Sequence, residues 1–247
     1  MGKLHLIMPM GGRGSRFFDD GFVIPKPLIE LQGRPFFYWS VQSVLRDVEI
    51  ADLRFVVLRE HVEDFAIDRR IRELYPDAAV TVIPEVLPGA VLTCMEGAKE
   101  IADGDPVLFN DCDHLFRSSA FAAFCAAGDF GAPDGALLTF RSDEPKFSYV
   151  RFAPDGTVTG TVEKQVVSDR AICGAYYFRS AGVFLEAAAR YLHKSRYEEF
   201  FVSGVYDELL EGGGSVACFD TDLHISFGTP AEYKIAAADP RLKEVET

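Results

Sequence analysis

Basic charge is scarce in this 247-residue sequence. Twenty-five Lys and Arg stand against 38 Asp and Glu, a formal net charge of −13. Nucleic-acid binding needs cations to neutralise phosphates, so that class of partner is excluded, as is an anionic membrane surface. An anionic small molecule stays compatible if the site itself is locally basic and carries a metal. Paired cysteines are lacking too. The five cysteines, Cys94, Cys112, Cys125, Cys173 and Cys218, are odd in number and none forms a CxxC pair. The pattern argues against a disulfide framework and a zinc site and fits free thiols in a reducing cytoplasm. No apolar run approaches the roughly 18 residues of a membrane helix. The opening MGKLHLIMPMGG is too short and wrongly flanked for a signal peptide. Repeats, low-complexity tracts and an interdomain linker are also missing.

What is present suits a soluble enzyme: 48% hydrophobic residues and 21 phenylalanines, which we read mostly as core. A chain of this length buries roughly 70–75% of its unfolded surface and needs no structural metal. Strands are predicted over 4–8, 53–58, 79–83 and 107–109. Helices are predicted over 36–48, 62–75 and 90–101, and over 119–127 behind Ser118 as N-cap. This alternation implies parallel β-α-β units. The pattern then changes. Strands over 136–140, 149–152, 157–163 and 171–178 include a hairpin turning at Ala153-Pro154-Asp155-Gly156. Helices over 182–192 and 202–210, a strand over 215–219 and a helix over 230–238 close the chain. The expectation is one α/β domain over residues 1–247, Rossmann-like, with helices on both faces of a mixed, mostly parallel sheet. A parallel half over 1–130 would bind the nucleotide, and a more antiparallel half over 131–247 would hold the second substrate.

The segment 10–27 reads as a loop of about 17 residues, a length that is uncommon unless functional. It begins Met10-Gly11-Gly12-Arg13-Gly14-Ser15-Arg16-Phe17, just after the first strand. Glycines there let backbone N–H groups approach phosphate oxygens, and Arg16 adds a fork that binds phosphate in bidentate fashion. The third glycine of a dinucleotide fingerprint is absent, and so is the Gly-Lys-Ser/Thr of a P-loop. A plain glycine turn with Arg16 in solvent would use the same letters. Pro25-Lys26-Pro27 follows, two prolines holding one lysine in an extended segment. Such a lysine either neutralises a leaving phosphate or simply sits at the surface. Asp111 and Asp113, two residues apart after a strand, suit Mg²⁺, which takes one or two carboxylates plus substrate phosphates. If strand geometry continues, both point to one side; otherwise the segment caps a turn. Cys112 reads as a buried thiol and His114 as a packed or surface histidine.

Together, residues 10–16 and Pro25-Lys26-Pro27-Leu28 resemble the signature of the sugar-phosphate nucleotidyltransferase superfamily, a Gly-x-Gly-Ser/Thr-Arg loop followed by Pro-Lys-Pro-Leu. Later segments match in order: residues 88–93, which resemble the part that reads the base; Asn110 to His114; Val162-Glu163-Lys164; Gly174-Ala175-Tyr176; and the Gly-Thr-Pro of residues 228–230. The resemblance implies a GT-A-like fold and a Mg²⁺-dependent transfer of NMP from an NTP to a phosphorylated acceptor, with pyrophosphate released. It places Met10, Gly11, Gly12, Gly14, Ser15, Arg16, Lys26, Gly89, Ala90 and Asp111 at the nucleotide. Arg16 and Lys26 become catalytic, Asp113 the metal ligand, and Asp111 a second ligand or a support. Glu163, Lys164, Gly174 and Tyr176 fall at the acceptor. The nearest subgroup is the short bacterial cytidylyltransferase-like enzymes of surface-polysaccharide pathways, which favours CTP, with UTP and dTTP open.

One departure stands out. Many relatives carry a second metal-binding aspartate where this chain has Ser226, leaving Asp220 or Asp222 to substitute. Two other readings stay open. Asp111-x-Asp113 also resembles the DxD of a GT-A glycosyltransferase using an NDP-sugar, and Ser226 would suit a nucleotide-binding module without turnover. Self-association of the chain is equally open.

Overall fold

Alternation along the first strand, β1 (Leu4–Met10), sets the layers. Leu6 and Met8 enter one core and Ile7 another, as the two-residue period of a strand requires. The computed structural model describes residues 3–194 and 199–242. After β1 come α1 (Ser15–Asp19), a 3-10 turn (Lys26–Leu28), the short strands β2 (Glu30–Leu31) and β3 (Arg34–Pro35), and α2 (Phe36–Leu45). Then follow β4 (Ile50–Leu58), α3 (Arg59–Phe65), α4 (Ile67–Leu74), β5 (Ala79–Ile83), α5 (Ala90–Ala98), β6 (Val107–Asn110), β7 (His114–Arg117) and α6 (Ser119–Ala127). The later part holds β8 (Gly135–Arg141), β9 (Ser148–Phe152), β10 (Val158–Glu163), β11 (Arg170–Phe178) and α7 (Ala181–Lys194). A second 3-10 turn (Val202–Gly204), α8 (Val205–Glu211), β12 (Val216–Asp220), β13 (Leu223–Ser226) and α9 (Pro230–Ala237) end the described chain. Among these residues no helix is long and apolar enough to cross a membrane.

One sheet runs through both halves in the order β10-β9-β11-β6-β1-β4-β5, with β8 beside β11 and β12 beside β8. β6, β1, β4 and β5 are parallel. β11 joins β6 antiparallel and begins the mixed half. Phe37, Val41, Ile67, Ile71 and Phe121, from α2, α4 and α6, cover one face. Val91, Phe184, Ala188 and Val205, from α5, α7 and α8, cover the other. The result is the expected three-layer α/β/α architecture. A third core, built on Phe17, Phe36, Trp39, Leu115, Ile225 and Phe227, ties α2 to the small β7–β13 sheet. Of the phenylalanines among the described residues, only Phe18 is exposed.

The chain leaves β1 toward β4 and β5 on one side and returns to β6 on the other. Strand order reverses at β1, so the carboxyl ends of β1 and β6 border a crevice, the place where open α/β sheets bind ligands. The glycine-rich loop follows β1, and Asp111 and Asp113 follow β6.

Three expectations need correction. The helix predicted over 62–75 is two helices, broken at Ala66, whose φ is 51°. The Ala66 N–H still closes α3 on the Val62 carbonyl, and its own carbonyl starts α4. The direction changes there so that Ile67 and Ile71, one turn apart, bury beneath the sheet. The segment 10–27 is not all loop, because Phe17 anchors α1 by edge contacts with Phe22 and Phe36. Finally, strand geometry does not continue past Asn110: the chain bends at Cys112 and Asp113 before β7 begins.

Candidate active site

Lys26 and Asp113 meet across 87 residues of sequence, the ammonium Nζ donating to Oδ2 at 2.7 Å. Local structure delivers the lysine. Pro25 and Pro27 flank it, and the 3-10 turn is closed by the Leu28 N–H on the Pro25 carbonyl. Gly14 lets the loop close over it, since its φ is +68° and a side-chain carbon there would lie 2.7 Å from the Lys26 Cβ. On the other side, the bend after β6 is held by the Asp111 N–H on the Gly174 carbonyl, 2.9 Å, and by the Phe227 N–H on the Asp113 carbonyl, 2.9 Å.

The charges of this cluster do not balance. Burial alone would lower the Lys26 pKa, but the charge and hydrogen bond of Asp113 outweigh it and hold it above its ordinary value. Burial likewise opposes ionisation of Asp113, yet the lysine prevails and keeps that carboxyl low. Asp111 has no such partner. Burial, then repulsion from Asp113 and Glu163, push it up to about 7 against the pull of Lys26. Two carboxylates thus share one cation, the setting in which like charges drive pKa values apart. Cys112 between them is 5% exposed, and burial pushes its thiol up to about 12, so it is no nucleophile. His114 is packed, and burial drops its pKa to about 4.

Two adjoining clefts open on this cluster. The first, of about 280 Å³, is lined by Met10, Gly11, Gly12, Gly14, Lys26, Gly89, Ala90 and Thr93. The second, of about 320 Å³, is lined by Arg16, Lys146, Glu163, Lys164, Gly174, Tyr176, Phe201 and Ser226. Asp111, Asp113 and Glu199 line both. Every site residue expected from sequence therefore reaches a cleft except Ser15, which is exposed and lines neither. Arg16 opens on the second cleft rather than on the glycine loop's side.

In the second cleft, Glu163 is fixed by the hydroxyls of Ser148, at 2.7 Å, and Ser203. Lys164, at φ 54°, carries its ammonium 5.3 Å over the Phe201 ring. Lys146 lies 2.8 Å from Glu144 and 2.9 Å from Glu232. Arg16 and Lys164 have no carboxylate partner among the described residues, which leaves two cations for an anionic ligand.

Residues 199–201 form a strap beside the clefts, with Glu199 lining both and Phe201 the second. The Phe200 N–H donates to the Pro88 carbonyl and the Val91 N–H to the Phe200 carbonyl, both at 3.2 Å. A Cβ on Gly89, whose φ is +123°, would lie 2.4 Å from the Phe200 nitrogen. Gly89→Ala should therefore push the strap away and lower stability by about 2 kcal/mol or more. Urea unfolding measures that loss; an unchanged midpoint would mean the strap is free to shift.

Sequence reading missed Glu199, Lys146 and Glu232. Only Glu232 left a local signal: Thr229-x-x-Glu232 is a capping box, and the Thr229 hydroxyl accepts from the Glu232 N–H at 3.3 Å. Neither candidate substitute for the aspartate missing at position 226 is free. Asp220 is held by Arg170 at 3.0 Å and by the Thr139 hydroxyl. Asp222 accepts from the Ser119 N–H and hydroxyl at 2.6 Å, and neither aspartate lines a cleft. Among the described residues no group of three or more potential ligands is gathered for a metal. Asp111 and Asp113, crowded and short of positive charge, fit an oxygen-loving cation that completes its shell with phosphates and water.

The sequence model of the nucleotidyl transferase family matches residues 5–234. The chain belongs to that family. Solved structures with the same fold include a nucleoside-diphosphate-sugar pyrophosphorylase from Vibrio cholerae RC9. It is 22% identical, with TM-score 0.82, over 95% of this chain and all of that one. A putative glucose-1-phosphate thymidylyltransferase from Bacillus anthracis is 18% identical, with TM-score 0.76, over 95% of this chain and 94% of that one. An inositol-1-phosphate CTP transferase from T. maritima is 15% identical, with TM-score 0.76, over 99% of this chain and 94% of that one. No curated protein matches in sequence.

Proposed function

We propose that this nucleotidyltransferase moves an NMP unit from a triphosphate to a phosphorylated small molecule such as a sugar phosphate, with Mg²⁺, and releases pyrophosphate. CTP is the favoured donor by subgroup resemblance, with UTP and dTTP as alternatives. The neighbouring proteins include both a CTP transferase and a putative thymidylyltransferase. The observation that carries the reading is the Lys26–Asp113 contact, with Asp111 beside it, on the floor common to both clefts.

The base would lie at Gly89 and Ala90 and the phosphates along the glycine loop beside Lys26. A Mg²⁺ ion held by Asp113, with Asp111 as second ligand or support, would neutralise phosphate charge. Arg16 and Lys164, on the second cleft and without a carboxylate partner among the described residues, would take the acceptor's phosphate at its junction with the first. Glu163, already immobilised by two hydroxyls, would receive a hydroxyl or amine of the acceptor, with Gly174 and Tyr176 as floor. An acceptor phosphate oxygen attacks the α-phosphorus in line, the α–β anhydride bond breaks, and Lys26 stabilises the charge that grows on pyrophosphate. Positioning and charge neutralisation supply the rate, with no covalent enzyme intermediate.

Thermal melting with each of the five common triphosphates, with and without Mg²⁺, tests this reading. A bound donor at 100 times its dissociation constant adds about 2.7 kcal/mol. A Mg²⁺-dependent shift with one triphosphate, followed by pyrophosphate release on adding acceptor, is the expected result. No shift with any triphosphate, together with NDP release from an NDP-sugar, would instead make the chain a glycosyltransferase.

A further inference from the structure

Two serines interrupt the apolar face of α2, and both are buried: Ser40 is 0% exposed and Ser43 5%. A buried hydroxyl is costly unless it is satisfied, and both face β7. The Ser43 hydroxyl accepts from the Phe116 N–H at 2.9 Å. Ser40 does more. Its hydroxyl donates to the His114 carbonyl at 2.6 Å and accepts from the His114 N–H at 3.3 Å. Its own carbonyl accepts from the Asn110 side-chain amide at 2.8 Å. The Asn110 side-chain oxygen in turn lies 2.9 Å from His114 Nε2. One residue of α2 thus grips both ends of the bend 110–114, and Asp111, Cys112 and Asp113 lie between the two grips.

We infer that Ser40 is a positioning residue, which sets the spacing of the Asp111 and Asp113 carboxylates by clamping the bend that carries them. The chain cannot do this locally. Backbone bonds from the Asp111 N–H to the Gly174 carbonyl and from the Phe227 N–H to the Asp113 carbonyl hold the bend from β11 and from the chain after β13, but no continuous ladder spans residues 111–113. The flanks of the bend are also tied, on the other side, to a helix that is itself locked in two cores by Phe36, Phe37, Trp39 and Val41. Such outer hydrogen bonds orient metal ligands and are worth about 10–100-fold in metal affinity where they have been removed. Ser43 is the built-in comparison. It makes the same kind of bond from the same helix, but to Phe116, beyond the carboxylates.

The inference rests on the reading of Asp113 as a metal ligand, and the experiment separates the two. Mn²⁺ binding by the full chain is followed by loss of the free-ion paramagnetic resonance signal. Asp113→Asn should abolish it; if the wild type binds no Mn²⁺, or Asp113→Asn binds as the wild type does, the metal reading fails and this inference with it. Given that control, Ser40→Ala should weaken Mn²⁺ about 10-fold or more, and Ser43→Ala by less than about twofold. In turnover, Ser40→Ala should lower kcat with the KM for the triphosphate little changed, whereas a purely structural serine would move neither. Equal Mn²⁺ affinities for Ser40→Ala, Ser43→Ala and wild type, or equal losses in both variants, would overturn the inference. Should Ser40→Ala fail to fold, Ser40→Cys keeps the volume and only a weak donor, and the same outcomes apply to it.

Discussion

Lys26→Met should lower turnover by about 10²–10³-fold, the loss found when a group aimed at developing charge is removed, while the sheet stays folded. Steady-state rates and far-ultraviolet circular dichroism check the two halves of that statement. The free protein should also lose stability at neutral pH, because the substitution leaves two carboxylates with no cation. Removing one partner of a fully buried pair costs about 3–5 kcal/mol. The Lys26 and Asp113 side chains keep 25% and 23% of their surface, so about 1–3 kcal/mol is the better expectation once solvent screening is counted. The pH dependence has a definite sign. Lys26 holds the Asp113 pKa below its ordinary value, so the pair's contribution is present above about pH 4 and lost as pH falls through the folded pKa. The difference in melting temperature between wild type and variant should be wide at pH 8 and close in acid. Divalent cations should narrow it at pH 8 by standing in for the ammonium. Turnover close to wild type would remove Lys26 from the chemistry.

Elements whose burial follows one period were legible before any coordinates. Leu6, Ile7 and Met8 alternate between two cores, and β5 and α6 fall on residues 79–83 and 119–127 as read. Ser118 caps α6 as expected, its hydroxyl accepting from the Phe121 N–H at 3.3 Å. What could not be read depends on partners far away in sequence. β7 and β13 are four residues each, and they pair Leu223 with Arg117 across 106 positions of chain; no four-residue window announces that. The break at Ala66 carries neither glycine nor proline, so only the packing of Ile67 and Ile71 under the sheet explains it.

The site divides in the same way. Motifs set by local backbone demands could be found: a glycine loop after a strand, a lysine between two prolines, two carboxylates after a strand. Each follows a strand or the loop after it, and the reversal of strand order at β1 brings them to one crevice. Residues that act through tertiary reach could not be found. Glu199 lines both clefts from a segment with no motif, and Ser40 reads as a minor polar interruption of an apolar helix. Proximity in sequence also misled. Asp220 and Asp222 stand close to Ser226 along the chain, yet their side chains serve Arg170 and Ser119.

Asp111→Asn should stabilise the free protein at pH 8 and remove most of its turnover. Asp111 is pushed up to about 7 by burial first and then by Asp113 and Glu163. A carboxyl whose folded pKa lies above its unfolded one favours folding while protonated. Its contribution is therefore full below about pH 4, declines as pH rises toward about 7, and stays at its lowest beyond. A shift of this size corresponds to about 4 kcal/mol at 1.36 kcal/mol per unit. The carboxylate faces an open cleft and shares Lys26, so about 1–3 kcal/mol is expected, or several degrees in melting temperature. Asparagine keeps the shape and drops the charge, so the variant's stability should lose this decline between pH 4 and 7. Adding Mg²⁺ should raise the melting temperature of the wild type more than that of the variant. A carboxylate kept for structure, through hydrogen bonds within the fold, would give the opposite sign: Asp111→Asn would then be the less stable protein at pH 8. The sign thus decides whether Asp111 is held for the fold or for a cation, and only the second explains why the fold tolerates two half-buried carboxylates on one lysine.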